Sequence, residues 1–456
     1  MRLGYRALVI RRLLLVFVVA LAVASPASAF SKEDGMQTMD DGVTLATSFY
    51  GPDGQMPAGG WPAVVVLHGL GDNRGRVELV STSFAEAGFA VLAYDARGHG
   101  VSGGVITLAG PREVADLRAI RAALAARADV SDTKIGAWGM SYGGGEIWNA
   151  LVAGVPFAAV EVVETWTSLY DALWPQDLAR SGIVAGFAAL VAARSPLIAG
   201  LRDVAVQSTN PAAIRQLTGE RSALAKASTI TTPMYLFQGR ADYAFDISQA
   251  TRAFERLAGP KKLYVGLFGH NPSTFPGPDI AYVINESRSW FRSYLYGSGG
   301  PANSVLVARD DAGRTPPVAL PARRTQTFAF PGRSIVQGTS LVARRTPPLR
   351  AALESWGGGT ATVTVSKPTR YPRLVVTVLA GSKVVAHGGV KPKAGVNRVT
   401  LANYCVYVPK GTRLRITVGS SSPAGQIAYL GFAGAGTATI GPVTLKLSTL
   451  AKPISG

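Results

Sequence analysis

Three residue types at suggestive spacing open the question of chemistry in this chain. Ser141 stands in Gly139-Met140-Ser141-Tyr142-Gly143, after the strand-like run Lys134 to Trp138 (KIGAW) and before the helix-like GEIWNALVAG. Small residues around a serine at a strand-to-helix turn let the backbone bend enough to lift the hydroxyl above the sheet. The N–H of the next residue, Tyr142, then faces the carbonyl under attack. The chemistry this suits is acyl transfer to a serine oxygen. A serine hydroxyl is a weak nucleophile near neutral pH and needs a base. The chain offers four histidines. His68 follows Val64-Val65-Val66-Leu67, His99 lies in Arg97-Gly98-His99-Gly100, and His387 lies far downstream. Nucleophiles on this kind of turn go with the chain order serine, acid, histidine. That order selects His270, after the run KLYVGLF, over the rival His99. The acid belongs after the preceding strand, MYLFQ, where Asp242 stands 28 positions before His270. Asp246, a helical turn further on, is its competitor. Asp242 would hold the imidazole tautomer and balance the imidazolium. The loop His68-Gly69-Leu70-Gly71-Asp72 offers the Leu70 N–H as second oxyanion donor.

Positioning these groups takes a sheet and helices. Val64 to Leu67, Phe89 to Tyr94, Lys134 to Trp138, Phe157 to Val163, Met234 to Gln238 and Lys262 to Phe268 are short apolar runs. Unbroken apolar strands mark a sheet covered on both faces, hence a mostly parallel one. Glu113 to Arg127 and Ala281 to Tyr296 carry helical periodicity between them. The alternation predicts an α/β, doubly wound fold. Residues 164–230 break this rhythm with Trp166, Tyr170, Trp174 and the run GIVAGFAALVAA. They read as a helical cap, with the three aromatics either lining an acyl pocket or packing cap onto core.

With these residues placed, the block resembles the α/β-hydrolases, and within them the Xaa-Pro dipeptidyl-peptidase-like (S15) and cocaine-esterase-like acyl hydrolases. Asp41 to Ala46 (DGVTLA) resembles the opening hairpin of that family, and Tyr94 to Gly103 (YDARGHGVSG) the loop after its next strand. Arg221-Ser222 to Pro233 resembles the approach to its acid strand. The resemblance covers most of residues 38–296. It implies a carboxy-terminal β jelly roll and ester or amide hydrolysis without metal or organic cofactor. The loop HGLGD lacks the tyrosine of the cocaine-esterase-like members, so a backbone donor is implied. Glu161, Glu164 and Asp171 are the candidates for anchoring a peptide amino terminus.

Charge divides the chain in three. Residues 1–29 hold Arg2, Arg6, Arg11 and Arg12 and no acid, residues 30–298 carry a net −3, and residues 299–456 carry +17 of the total +18. The first stretch reads as a secretory signal: a basic start, the apolar run Leu13 to Ala24, and the small-x-small site Ala27-Ser28-Ala29. Arg11-Arg12 also fits a twin-arginine route. The expected location is secreted or envelope-associated. One Cys excludes an intramolecular disulfide and a Cys-built zinc site, and Cys405 in YCVYV reads as a buried small residue.

The expected domains are therefore a signal peptide at 1–29, a hydrolase domain at 30–298 and a basic β-sandwich or jelly-roll domain at 299–456. Gly297-Ser298-Gly299-Gly300-Pro301 reads as the linker. The tail strands expected are Thr360 to Val365, Leu374 to Leu379, Arg398 to Leu401, Tyr404 to Val408 and Leu414 to Val418. Aromatics are not interleaved with the basic residues, so nucleic acid is not the expected partner. An anionic envelope surface fits better, as does a basic surface without a specific partner. The function expected is an exported serine hydrolase acting on a small ester, an amide or a short peptide. The alternatives are a dipeptidyl peptidase or acyltransferase on this scaffold, and a non-catalytic envelope-binding protein.

Overall fold

The structure is a computed structural model that describes residues 29–297, 299–300, 302–431 and 436–456. The expected leader thus lies, save for Ala29, outside the described residues. Ten strands form the first sheet: β1 (Phe30–Thr38), β2 (Thr44–Pro52), β3 (Trp61–Leu67), β4 (Ala90–Tyr94), β5 (Val130–Met140), β6 (Val160–Val163), β7 (Met234–Gly239), β8 (Lys261–Gly266), β9 (Ser304–Val307) and β10 (Val318–Ala319). Their order is β1-β2-β4-β3-β5-β6-β7-β8-β9-β10. The pairs from β4 to β9 are parallel, and β1, β2 and β10 join antiparallel at the two edges.

The helices are α1 (Glu78–Glu86), α2 (Pro111–Ala125), α3 (Tyr142–Val152), α4 (Leu169–Leu173), α5 (Ser181–Val191), α6 (Pro196–Gln207), α7 (Pro211–Gly219), α8 (Ile247–Arg256) and α9 (Ile280–Phe291). The apolar runs follow from two-sided cover. On β3, Val65 and Leu67 face one cluster and Val64 and Val66 the other, which α1 and α9 cover, and all four are buried. Helices α4 to α7 fill the segment between β6 and β7.

The Gly-rich stretch at 297–301 does not end this sheet. A strand parallel to β8 needs a crossover. Helix α9 is that crossover, and the glycines turn its end into β9, whose Ser304 to Val307 pair with Lys262 to Val265. Residues 304–319, expected in the tail domain, therefore complete the hydrolase sheet.

The second sheet is antiparallel throughout. It contains β11 (Arg323–Phe330), β12 (Ser334–Gln337), β13 (Leu341–Arg345), β14 (Leu353–Thr369), β15 (Leu374–Ala380), β16 (Lys383–Val390), β17 (Gly395–Asn403), β18 (Tyr407–Val408), β19 (Leu414–Gly419) and β20 (Thr437–Leu450). The order is β11-β20-β14-β17-β16-β15-β19-β13, with β12 on β20 and β18 on β14. Three register shifts along the β14–β20 pair bend these long strands, as bulges do, and the sheet curls on a core that includes Val363, Val376 and Leu445.

The two halves are bolted together. Arg240, just after β7, forms an ion pair with Glu354 of β14, both buried, and the Cys405 N–H donates to the Arg240 carbonyl at 2.8 Å. Cys405 is buried, and burial chiefly pushes its thiol up to about 12. The cap is fastened too. At the start of α5 the Gly182 N–H donates to Ala428 O at 3.2 Å, and the Leu430 N–H donates to Ser181 Oγ at 2.9 Å. Among the described residues, no helix is long and apolar enough to cross a membrane.

Candidate active site

Open parallel sheets bind ligands outside the carboxyl ends of their strands. Here the loops after β3, β5, β6, β7 and β8 carry Leu70, Ser141, Glu164, Asp242 and His270. Ser141 has a positive φ of 49°. A side chain in that region costs about 1–3 kcal/mol and persists only where the surroundings enforce it. Close packing enforces it here. A Cβ on Gly143 would stand 2.5 Å from Leu67 Cβ, and one on Gly139 would stand 2.7 Å from the Gly143 carbonyl. The Ser141 N–H donates to Val163 O at 2.8 Å, and Thr165 Oγ1 donates to Ser141 O at 2.7 Å.

Three of the expected residues come together in one hydrogen-bonded line. Ser141 Oγ lies 2.9 Å from His270 Nε2, and His270 Nδ1 lies 2.9 Å from Asp242 Oδ2. The Asp242 carboxyl is buried, and its other oxygen accepts the Ala244 and Phe245 N–H groups at 2.9 and 3.0 Å. Burial opposes charge on His270. The Asp242 charge, then the Glu164 charge, then the Asp242 hydrogen bond outweigh it and raise the imidazole above its ordinary value.

The rivals are engaged elsewhere. Asp246 caps α8 by accepting from the Ser248 N–H at 2.8 Å. His68 donates from Nδ1 to Gly69 O at 2.7 Å and accepts the Ala96 N–H on Nε2 at 2.9 Å. His99 packs on His68 and Tyr142 at ring separations of 5.0 and 5.2 Å. His387 lies in the second sheet.

The two expected donors fall beside Ser141. Leu70 and Tyr142 line the same pocket, and neither backbone N–H has a protein partner among the described residues. The Tyr142 ring is held away from the site: its hydroxyl donates to Glu113 Oε1 at 2.9 Å and accepts the Ala109 N–H at 2.8 Å.

The pocket above Ser141 measures about 730 Å³ with its open mouth. Cap and core share its walls, which include Trp166, Trp174, Phe187, Ile214 and Phe245. Both indole N–H groups turn outward, Trp166 to Arg221 O at 2.7 Å and Trp174 to Ala205 O at 2.8 Å, so apolar ring surface is left for the cavity. Tyr170 departs from expectation. Its hydroxyl bonds Asp177 and its ring lies under Arg215, 4.8 Å away, so it does not line the pocket.

None of the three candidate amine anchors reaches the cavity. Glu161 alternates on β6 to the face covered by α9. Asp171 pairs at the surface with Arg252 at 2.8 Å. Glu164 is buried beside His270. Among the described residues, Arg202 is the only charged one on the wall.

Phe187 and Phe245 were missed in the sequence. They set their rings edge-on to His270 at 5.9 and 5.1 Å. The signal for Phe187 is the length of the apolar run GIVAGFAALVAA, whose inner side faces the cavity while Leu190 on its outer side stays exposed. One cluster among the described residues has metal-like spacing, Glu164, Asp242 and His270, with ligand atoms within 4.8 Å. Both imidazole nitrogens already face Ser141 and Asp242, so the donor set suits proton sharing rather than ion binding.

The family model of the X-Pro dipeptidyl-peptidase (S15 family) matches residues 41–272, half of the chain. The chain belongs to the S15 family. As an S15 member it is a hydrolase of ester or peptide bonds, and its substrates are small molecules or peptides. The chain is 28% identical over 275 residues to a monoacylglycerol lipase of Mycolicibacterium smegmatis, covering 56% of this chain and 95% of the lipase. A stretch of 42 residues is 55% identical to an uncharacterized abhydrolase domain-containing protein of Dictyostelium discoideum, of whose length the chain spans only 4%. In structure the S15 chain is similar to a CocE/NonD family hydrolase from Staphylococcus aureus. The TM-score is 0.71 at 15% identity, with 92% of this chain and 94% of that one covered. That likeness extends over both sheets and shows the shared fold.

Proposed function

We propose that this S15 protein is an exported serine esterase for substrates with an apolar acyl chain. The observation that carries the reading is the cavity over Ser141, whose walls among the described residues are apolar but for Arg202 and hold no carboxylate to receive an amine. The monoacylglycerol lipase among its relatives supports the same substrate class.

In this reading His270 Nε2 accepts the Ser141 proton as Oγ bonds to the acyl carbon. The tetrahedral oxyanion rests on the Leu70 and Tyr142 N–H groups. Imidazolium, held by Asp242, gives its proton to the departing alkoxide. Water repeats the steps on the acyl-enzyme, releases the acid and restores Ser141. The 2.9 Å contacts along Ser141, His270 and Asp242 support these roles.

Export rests on the basic and apolar pattern of residues 1–29. Retention at an anionic envelope rests on the +17 of residues 299–456. Short peptides remain the second reading because the family includes dipeptidyl peptidases. Nitrophenyl esters of graded chain length, set against an Xaa-Pro nitroanilide, test the choice. Faster turnover of the nitroanilide overturns the esterase reading. Failure of a fluorophosphonate to label Ser141 overturns the enzyme mechanism as a whole.

A further inference from the structure

Glu164 is the residue beside the reacting line that this chemistry leaves unused. It is the first residue after β6, and its φ is 44°, left-handed backbone on a non-glycine. Its N–H donates to Phe237 O at 2.8 Å, which fixes it against β7. Its side chain is 2% exposed, and Oε2 has no hydrogen-bond partner among the described residues. One of its carboxyl oxygens, one of Asp242 and a ring nitrogen of His270 lie within 4.8 Å of one another.

Every part of this arrangement is costly. The backbone strain is about 1–3 kcal/mol, and a buried carboxyl oxygen without a donor adds to it. A glycine would relieve the strain, and a leucine would fill the space. What neither supplies is an ionisable group against the imidazole. We propose that Glu164 is a positioning residue for His270: a second carboxyl, beside Asp242, whose charge helps to set the pH range in which the imidazole serves as base. The inference rests on the reading of Ser141, His270 and Asp242 given above.

The groups that face Glu164 come from three loops. Asp72 belongs to the loop after β3, Asp242 to the loop after β7 and His270 to the loop after β8. Burial pushes the Glu164 carboxyl up, the His270 charge pulls it back, and Asp242 and Asp72 push it up again, so it stands well above the usual carboxyl range. In turn, the ionised Glu164 favours imidazolium. The proton that His270 must lack in order to act is therefore held more tightly than by Asp242 alone. The acid limb of the rate profile lies above the ordinary imidazole range of about 6.5. What is gained is a better-stabilised imidazolium while the acyl-enzyme forms.

The test is the rate of fluorophosphonate labelling of the full chain from pH 5 to pH 10, in wild type, Glu164→Gln, Glu164→Asp and Ser141→Ala. The amide keeps the shape and removes the charge, so the acid limb of Glu164→Gln is expected to fall by roughly one pH unit, about tenfold in relative rate on the limb. Glu164→Asp draws the carboxyl back by one methylene, and its limb is expected between the two. Superimposable limbs in wild type and Glu164→Gln overturn the proposal. If the amide variant does not fold, Glu164→Asp decides: a limb below that of wild type sustains the proposal and an unchanged limb overturns it. A wild-type limb at or below about 6.5 overturns it without any variant. Failure of the underlying mechanism looks different, because wild type and Ser141→Ala would then label alike at every pH.

Discussion

Arg180 Nη2 donates to His387 Nε2 at 2.9 Å, joining the cap to the second sheet through two buried side chains. The same guanidinium donates to Ala172 O and Ala244 O at 3.0 and 2.9 Å and to the carbonyl of Tyr243. Tyr243 and Ala244 belong to the loop in which the Ala244 and Phe245 N–H groups fix Asp242. One arginine thus spans cap, acid loop and β-domain. Arg180→Met is expected to leave several buried carbonyls unpaired, at about 1–3 kcal/mol for each group left without a partner. Thermal unfolding would show a clear fall in Tm. Steady-state kinetics would show kcat falling more than KM rises, because the loop holding Asp242 loosens while the acyl pocket stays.

His387 accepts hydrogen bonds on Nε2 and so is neutral. Burial, reinforced by the Arg180 charge, holds its pKa well below 6.5. Burial likewise lowers His68, to about 4, and His99. A histidine whose folded pKa is depressed takes up its proton first in the unfolded chain. Its stabilisation is present above about pH 6.5 and is lost as pH falls toward the folded value, at up to about 1.4 kcal/mol per pH unit for each group. Between pH 7.5 and 5 this loss runs against the gain from His270 and Glu164, whose folded values are raised, so its slope is read from urea midpoints at pH 7.5, 6 and 5 in wild type against a variant. His387→Gln, which keeps an acceptor and cannot be protonated, is expected to flatten part of that slope.

A pocket walled by apolar side chains rewards each added methylene by about 0.8 kcal/mol, roughly fourfold in kcat/KM, until its length is filled. Nitrophenyl esters from acetate upward would trace this rise and its plateau. Ala188 lies on the wall. Ala188→Phe is expected to shorten the plateau, leaving acetate turnover close to wild type and cutting the longest chains by at least tenfold.

Asp242→Asn keeps the shape of the carboxyl but favours the wrong imidazole tautomer. A loss of about 10⁴ in kcat is expected. Asp246→Asn retains an oxygen for the Ser248 N–H and is expected to change kcat little. Equal losses in the two variants would reverse the assignment between these acids.

Much of the fold could be read locally. Strands buried on both faces announce themselves as apolar runs, and the turn that lifts Ser141 shows in its glycines. What escaped depends on distant partners. Strand β20 contains Gly441-Pro442, which reads as a turn, yet these residues sit at the register shift opposite Thr364, where the ladder needs no N–H from proline. Strand β16 hides its Gly388-Gly389 where a Cβ on Gly388 would strike Thr400 O. The Gly-rich stretch at 297–301 resembled a linker because nothing local tells a loop between domains from a loop between helix and strand. At the site, Ser141, Asp242 and His270 were legible from chain order. In the sequence Glu164 reads as a candidate anchor for a peptide amino terminus, and only the parallel register of β6 and β7 brings it to the imidazole.

Glu354 is the last acid in the sequence and the only one after Asp311, and it is buried against Arg240. It also accepts the Ile454 and Ser455 N–H groups, so its carboxylate is spent inside the protein. His387, the only histidine of that stretch, is buried as well. No acidic or histidine side chain from residue 312 onward thus titrates at the described surface. The β-domain is a cation of constant charge across the mildly acidic and neutral range. Its hold on a polyanion would weaken with salt, and any change with pH in that range would have to come from the polyanion.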